Sequence, residues 1–168
     1  LTKGVFQVNV IQPANNFSES ELLEYAAFAE SFSTHPIALS ILKAYNKDID
    51  KANLSDYNEI SGHGISVSAS GKTVLAGNNK LMAKYNINYE EYPDIGTKVY
   101  VAVDNVYAGC IVISDEIKED SIAAINGLKK RGVRKTVMLT GDNPEIAKAI
   151  AEKLNLDEVY GGLLPADK

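Results

Sequence analysis

The chain has 168 residues, 45% of them hydrophobic and 23% charged, with a net charge of −5 and no low-complexity run. That composition fits a folded globular chain of one large or two small domains, and its acidic, interspersed charge argues against a nucleic-acid partner. Two histidines and the single Cys110 exclude an internal disulfide and a protein-only zinc site, and no apolar stretch reaches the ~18 residues of a membrane-spanning helix.

Residues 4–12 alternate as a strand does and run into Pro13. Ser18 followed by Glu21 is a capping-box signal, and Leu22, Ala26 and Ala29 share a helical face, which predicts a helix over about 19–31. Pro36 suits the first position of a second helix, reaching about Asn46 with Ile37, Ile41 and Tyr45 on one face. The same proline pushes His35 out of the α region into an extended, cap-like conformation. His35 therefore occupies the corner of a helical hairpin, with Glu30 of the preceding helix close by.

From Tyr57 the period changes to two. Residues 57–61, 65–70 and 72–76 read as short strands, the last two joined at Ser70-Gly71. Asn78–Lys84 reads as one or two helical turns. Residues 98–104 place Val99, Val101 and Val103 on one face, Asp104-Asn105 turns the chain, and 106–113 returns around the apolar Cys110. Residues 10–110 are thus expected to form an α+β unit on a mostly antiparallel sheet.

After Ile113 the style changes. A helix is expected over about 115–131, with Asp115 and Glu116 at its start and Lys129, Lys130 and Arg131 before Gly132. A strand over 135–139, the segment Thr140-Gly141-Asp142, a helix over 144–154 and a strand over 158–160 follow. This β–α order predicts a parallel, doubly wound sheet with its chemistry beyond the carboxyl ends of the strands. The opening residues and the last fifty or so are assigned to that sheet, with the middle inserted. Such an arrangement suits a hinged enzyme with its site in the cleft between the parts.

The residues that can carry chemistry each have a bland reading. His35 is a cap or a ligand contact, and Glu30 a solvated helix residue or a partner to it. Gly62-His63-Gly64 is an ordinary turn, or a place where bare backbone meets a flat ligand. Gly77-Asn78 is a plain turn, or a helix opening whose free N–H groups face a phosphate. Thr140 can donate to a phosphoryl oxygen, and Asp142 either steers a metal or shares the cap of the next helix with Asn143. Lys168 alone is a solvated charge. No Gly-x-x-x-x-Gly-Lys-Ser/Thr segment occurs, so a P-loop is excluded. The residues alone reach a two-part, phosphate-handling α/β enzyme.

Ser33-x-His35-Pro36, Gly62-x-Gly64, Gly77-Asn78, Met138-Leu139-Thr140-Gly141-Asp142-Asn143 and Leu163-Leu164-Pro165-x-Asp167-Lys168 stand in this order along essentially the whole chain. In this the chain resembles heavy-metal-transporting P-type ATPases, and Lys135-Thr136-Val137 looks more like their zinc/cadmium/lead branch than the copper branch. The resemblance implies a nucleotide-binding domain (10–110) inserted into part of a haloacid-dehalogenase-like phosphorylation domain (1–9 and 111–168). It implies that Glu30 and His35 contact the adenine end of ATP. Gly62, Gly64, Ile65, Gly77 and Asn78 would line the same pocket. Thr140, Gly141, Asp142 and Lys168 would form the catalytic, phosphate end.

Leu1-Thr2-Lys3-Gly4 looks like the continuation of Asp-Lys-Thr-Gly-Thr, whose aspartate accepts the phosphate and is not in this sequence. The segment that holds Mg2+ is expected after Lys168. The chain therefore reads as the cytoplasmic piece of an integral membrane protein, monomeric, with the actuator and membrane domains of its parent as partners. It is expected to bind ATP or ADP without forming a phosphoenzyme. A base stacked on imidazole and bonded to one carboxylate gains roughly 1–3 kcal/mol, which suits weak, reversible binding. The rival reading is a haloacid-dehalogenase-type phosphatase with a cap domain, which needs an Asp-x-Asp nucleophile motif that the opening residues lack.

Overall fold

Strand β5 (Thr97–Val103) explains the layering of the larger part of the molecule. Its alternate side chains enter two separate cores: Val99, Val101 and Val103 pack on one face of the sheet, Tyr100 and Ala102 on the other. A strand buried on both faces needs cover on both. The computed structural model describes residues 1–93, 95–141 and 143–164.

Six strands form one sheet in the order β1-β6-β5-β4-β3-β2. They are β1 (Thr2–Pro13), β2 (Leu54–Ile60), β3 (Gly64–Ala69), β4 (Lys72–Gly77), β5 and β6 (Val106–Ile117). From β2 to β6 every neighbouring pair is antiparallel. The two-residue turns fall where expected: Ser70-Gly71 and Asp104-Asn105 all take positive φ, the geometry that matches the strands' twist.

Helices α1 (Glu19–Glu30) and α2 (Pro36–Tyr45) cover one face, burying Leu22, Ala26, Ala29 and Ile41 against Ile65, Val74, Ala76 and Val101. The capping box at the start of α1 is complete: Ser18 Oγ accepts from the Glu21 N–H, and the Ser18 N–H donates to Glu21 Oε2 at 2.9 Å. An edge-to-face ladder of Phe17, Tyr25, Phe28 and Tyr45 runs along the hairpin. The other face is covered by α3 (Asn79–Lys84) and the segment after it, through Leu81, Met82 and Ile87. Cys110 is fully buried on that face, and burial pushes its thiol up to about 11.

The chain divides into two compact units, Phe6–Ser114 and Leu1–Val5 with Asp115–Lys168. The division falls inside β1 and β6, several residues from the positions expected at 9/10 and 110/111.

In the smaller unit, α4 (Ser121–Lys130) precedes β7 (Val137–Leu139), α5 (Pro144–Lys153) and β8 (Glu158–Tyr160), with β7 and β8 parallel. Met138, Ala147 and Ala151 form its small core. The helix expected from residue 115 begins only at Ser121. Asp115 and Glu116 are still strand: Asp115 Oδ1 accepts from the Val5 N–H, and Glu116 pairs with Lys3 at 2.8 Å. The acidic pair that looked like a helix N-terminus serves β1 instead.

Candidate functional site

Glu30 ends α1, Ile60 ends β2, Gly64 begins β3 and Gly77 ends β4. Register ties the strand ends together, because Ile60 lies opposite Gly64 and Gly64 opposite Gly77. The two glycine clusters, separate in sequence, are therefore one structure. At Gly64, with φ +145°, an added Cβ would collide with the carbonyl of Ala76 and the Cα of Gly77. At Gly77 it would strike the carbonyl of His63 and the Cα of Gly64. Neither position admits a side chain, which leaves a bare backbone patch.

Asn78 locks this patch. Its N–H donates to the His63 carbonyl and its Nδ2 to the Gly62 carbonyl, both at 2.8 Å. Its Oδ1 accepts from the N–H groups of Lys80 and Leu81 at the start of α3. The N–H groups of Asn78, Lys80 and Leu81 are thus occupied, and the Asn78 side chain acts as a strut through both its oxygen and its nitrogen. Ile65 is buried in the core beside Ala29 and Ala76, and it holds the patch from beneath.

The helical corner has the expected conformation. His35 is the N-cap of α2, with φ −64° and ψ 141°, and its Nδ1 accepts from the Ile37 N–H at 3.2 Å. Occupation of Nδ1 as an acceptor assigns the proton of the neutral ring to Nε2. Around the corner, the Ser33 N–H donates to the Glu30 carbonyl and the His35 N–H to Ser33 Oγ. His35 is exposed, so its ring edge and Nε2 are open to a ligand.

Glu30 is the anomaly. Its residue is only 9% exposed, and among the described residues its carboxyl has no hydrogen-bond or ion-pair partner. Burial first, and the charge of Glu59 second, push it up to about 7. Glu59 stands opposite Ile65 across β2 and β3, so it shares the helix-bearing face. Tyr57 is influenced by both carboxyls and is also raised, chiefly by burial. Its ring lies 5.0 Å from that of Phe32, over which Lys51 Nζ sits at 4.7 Å. A bulge between Ser55 and Asn58, with Asp56 at φ +53°, offsets Tyr57 from the strand's alternation.

Phe32, Tyr57 and Glu59 were not among the residues expected from sequence. Glu59 was legible in principle, since a hairpin at Ser61–His63 that pairs Ile60 with Gly64 also pairs Glu59 with Ile65. The aromatic pair was not, because it depends on the bulge.

In the smaller unit, Thr140 follows the carboxyl end of β7. Its N–H donates to the Tyr160 carbonyl at 2.9 Å, and its carbonyl accepts from Leu163 at 3.0 Å. Gly141 passes close to the Leu163 carbonyl. Asn143 caps α5 through Oδ1, which accepts from the Glu145 N–H at 2.8 Å. Asp142 and Lys168 lie outside the described residues. Among those described, no three His, Cys, Asp or Glu side chains are grouped to hold a metal ion, and no helix is long and apolar enough to cross a membrane.

A family model described as a haloacid dehalogenase-like hydrolase matches residues 1–168. The chain is 49% identical over 168 residues to the zinc-transporting ATPase of Synechocystis sp., a match that covers 100% of this chain and 23% of that protein. It is 50% identical over 170 residues to the cadmium, zinc and cobalt-transporting ATPase of Bacillus subtilis, covering 100% and 24%. The crystal structure of a zinc-transporting PIB-type ATPase in its E2·Pi state superposes with a TM-score of 0.79 at 34% identity, over 99% of this chain and 28% of that one. The catalytic domain of the CPx-ATPase CopB-B, studied for its changes on nucleotide binding, gives 0.71 at 28% identity, over 99% and 60%. The chain spans about a quarter of the length of these curated relatives.

Proposed function

The chain belongs to the haloacid dehalogenase-like hydrolase family, and from that membership we propose that it is the ATP-binding part of a P-type ATPase that exports a heavy-metal cation. The names of its relatives support zinc or cadmium over copper as the cargo. In this reading the unit Phe6–Ser114 takes the base, and the smaller unit receives the phosphoryl group.

The observation that carries the reading is the end of the larger unit. There Glu30, a residue only 9% exposed whose carboxyl has no protein partner among the described residues, shares one end of the layer with a backbone patch that excludes side chains. A flat heterocycle with hydrogen-bonding edges matches both features: its face lies on bare backbone at Gly64 and Gly77, and its edge meets Glu30. His35 offers a ring for stacking and Nε2–H as a donor. Gly62, with φ +70° and open space around it, gives the loop its turn. Ile65 and Asn78 position this wall from behind.

Thr140 and Gly141, with Asp142 and Lys168, form the phosphate end. The reaction asks them for positioning and charge neutralisation more than for covalent chemistry. Mg2+ accompanies the nucleotide, but the described residues do not group into a set of ligands for it, and no step is assigned to it. The actuator and membrane domains of the parent are the partners that would use the phosphoryl group, with this chain on the cytoplasmic side. Isothermal titration with ATP and ADP tests the reading: saturable heat with both is expected, and no heat with either sinks it.

A further inference from the structure

We propose that His63 is a further contact of the nucleotide site: its Nε2 lone pair accepts a hydrogen bond from the nucleoside, given by the exocyclic amine of the base or by a ribose hydroxyl. This rests on the nucleotide-binding reading and adds to that site a side chain that accepts where His35 donates.

The turn that carries His63 fixes its tautomer. The His63 N–H donates to the Ile60 carbonyl at 2.9 Å, with Gly62 at φ +70° and Ser61 at negative φ between them. That is a type II turn, in which the middle carbonyl, here that of Ser61, is not used by the turn itself. His63 Nδ1 lies 2.8 Å from this oxygen. A carbonyl only accepts, so Nδ1 carries the proton, and in the neutral ring the lone pair stays on Nε2. His35 is the reverse case, because its Nδ1 accepts from the Ile37 N–H. The Phe32 ring, from the corner that carries His35, lies 5.0 Å from that of Tyr57 on β2, which ties the corner to the strand that ends before His63. The chain's two histidines therefore flank the same end of the larger unit in opposite tautomers.

His63 is also fixed in place at the rim of the bare patch. Its carbonyl takes the Asn78 N–H at 2.8 Å, and a Cβ added at Gly77 would strike the same oxygen. The residue is half-buried, Gly62 beside it has open space around it, and among the described residues Nε2 has no partner. A ring already pinned by its own turn loses little rotamer freedom when it accepts a further bond, which is what recognition needs. The lone pair also selects the part of the nucleotide it meets. Phosphate oxygens only accept and are repelled by it, whereas the adenine N6 amine and the ribose hydroxyls donate. The bond to Ser61 would be the whole role of an ordinary turn residue, and an Asn would serve it as well. The second ring nitrogen is what an Asn lacks.

The test uses the whole chain at about pH 8, where an ordinary imidazole is neutral. Long-range 1H–15N correlation spectra of the free chain read the tautomers: Nδ1–H is expected at His63 and Nε2–H at His35, and Nε2–H at His63 overturns the proposal. Isothermal titration with ATP then compares His63→Gln with His63→Asn. Gln reaches as far as Nε2 and keeps an acceptor there, whereas Asn reaches only as far as Nδ1 and keeps the bond to Ser61. His63→Asn is expected to bind ATP about three- to tenfold more weakly, with His63→Gln within about twofold of the unaltered chain. The reverse order reduces His63 to a turn residue and overturns the proposal. The donor is identified with 2′-deoxy-ATP, 3′-deoxy-ATP and purine riboside triphosphate, which lacks the amine. One of these is expected to bind the unaltered chain more weakly than ATP by the same factor, and to bind His63→Asn as ATP does. A deoxy analogue in that role assigns the ribose, and the desamino analogue assigns the base. Equal discrimination by both proteins against all three analogues overturns the proposal while the nucleotide reading stands. Absence of ATP binding by the unaltered chain overturns that reading as well, which separates the two failures.

Discussion

Two carboxyl side chains, one in each unit, show how differently the molecule treats an acid. Asp157 in the smaller unit is satisfied from three directions. Its Oδ1 takes Lys129 Nζ at 2.8 Å, and its Oδ2 takes the N–H and the Oγ1–H of Thr136, both at 2.7 Å. Those donors, Lys129 first, hold it well below the usual carboxylate range. The bracket joins the end of α4 to the entry of β7 and the approach to β8, and nothing is left over for a ligand. Glu30 in the larger unit has the reverse treatment: buried, unpartnered and pushed up to about 7. Asp157 contributes to the fold, whereas the ionised form of Glu30 costs it something, which suits the binding role proposed for that end of the unit.

The contrast can be broken at several points. The largest effect is expected from Gly64→Val, because φ of +145° and the collision with Ala76 and Gly77 leave the side chain no space. We expect a loss of about 3 kcal/mol or more in urea unfolding of the larger unit, together with loss of ATP binding.

Next comes the pH dependence of Glu30 without ligand. Its folded-state value lies above that of an unfolded glutamate. Its contribution to stability is therefore full below about pH 4.5 and lost as pH rises through about 7. The larger unit should lose about 1–3 kcal/mol over that window, and Glu30→Gln should remove the loss. A wild-type stability that is flat over the window would contradict the burial argument.

His35→Ala removes a cap and a ring together, costing about 1 kcal/mol of stability and several-fold in ATP affinity. His35→Asn restores an oxygen acceptor for the Ile37 N–H but not the ring. It should recover the stability and leave ATP affinity low; recovery of both would make His35 a cap alone. The smallest effect is expected from Asp157→Asn. Its carboxylate is held low, so its stabilisation is present above the ordinary aspartate range and is lost as pH falls. The variant should soften the smaller unit at neutral pH, flatten its acid response and leave ATP affinity unchanged.

Local signals carried much of this into view before any coordinates. The Ser18/Glu21 box, the His35-Pro36 corner and the turns at Ser70-Gly71 and Asp104-Asn105 are read within a few residues, where propensity and capping decide the outcome. What escaped depends on partners far along the chain. Asp115 and Glu116 mimic a helix start until Val5 and Lys3 engage them across β1. Tyr57 reaches Phe32 only because a bulge at Asp56 offsets it. Glu59 bears on Glu30 only through the β2–β3 register, which no local signal states. The bonds of Asn78 to Gly62 and His63 join two loops far apart in sequence, which no local signal states.

Amide-resolved NMR during an ATP titration measures the central claim most directly. The account predicts saturable shifts concentrated at Glu30, His35, Gly62–Ile65 and Gly77–Asn78, at one end of the larger unit. Shifts confined to the neighbourhood of Thr140, with that end unmoved, would contradict it.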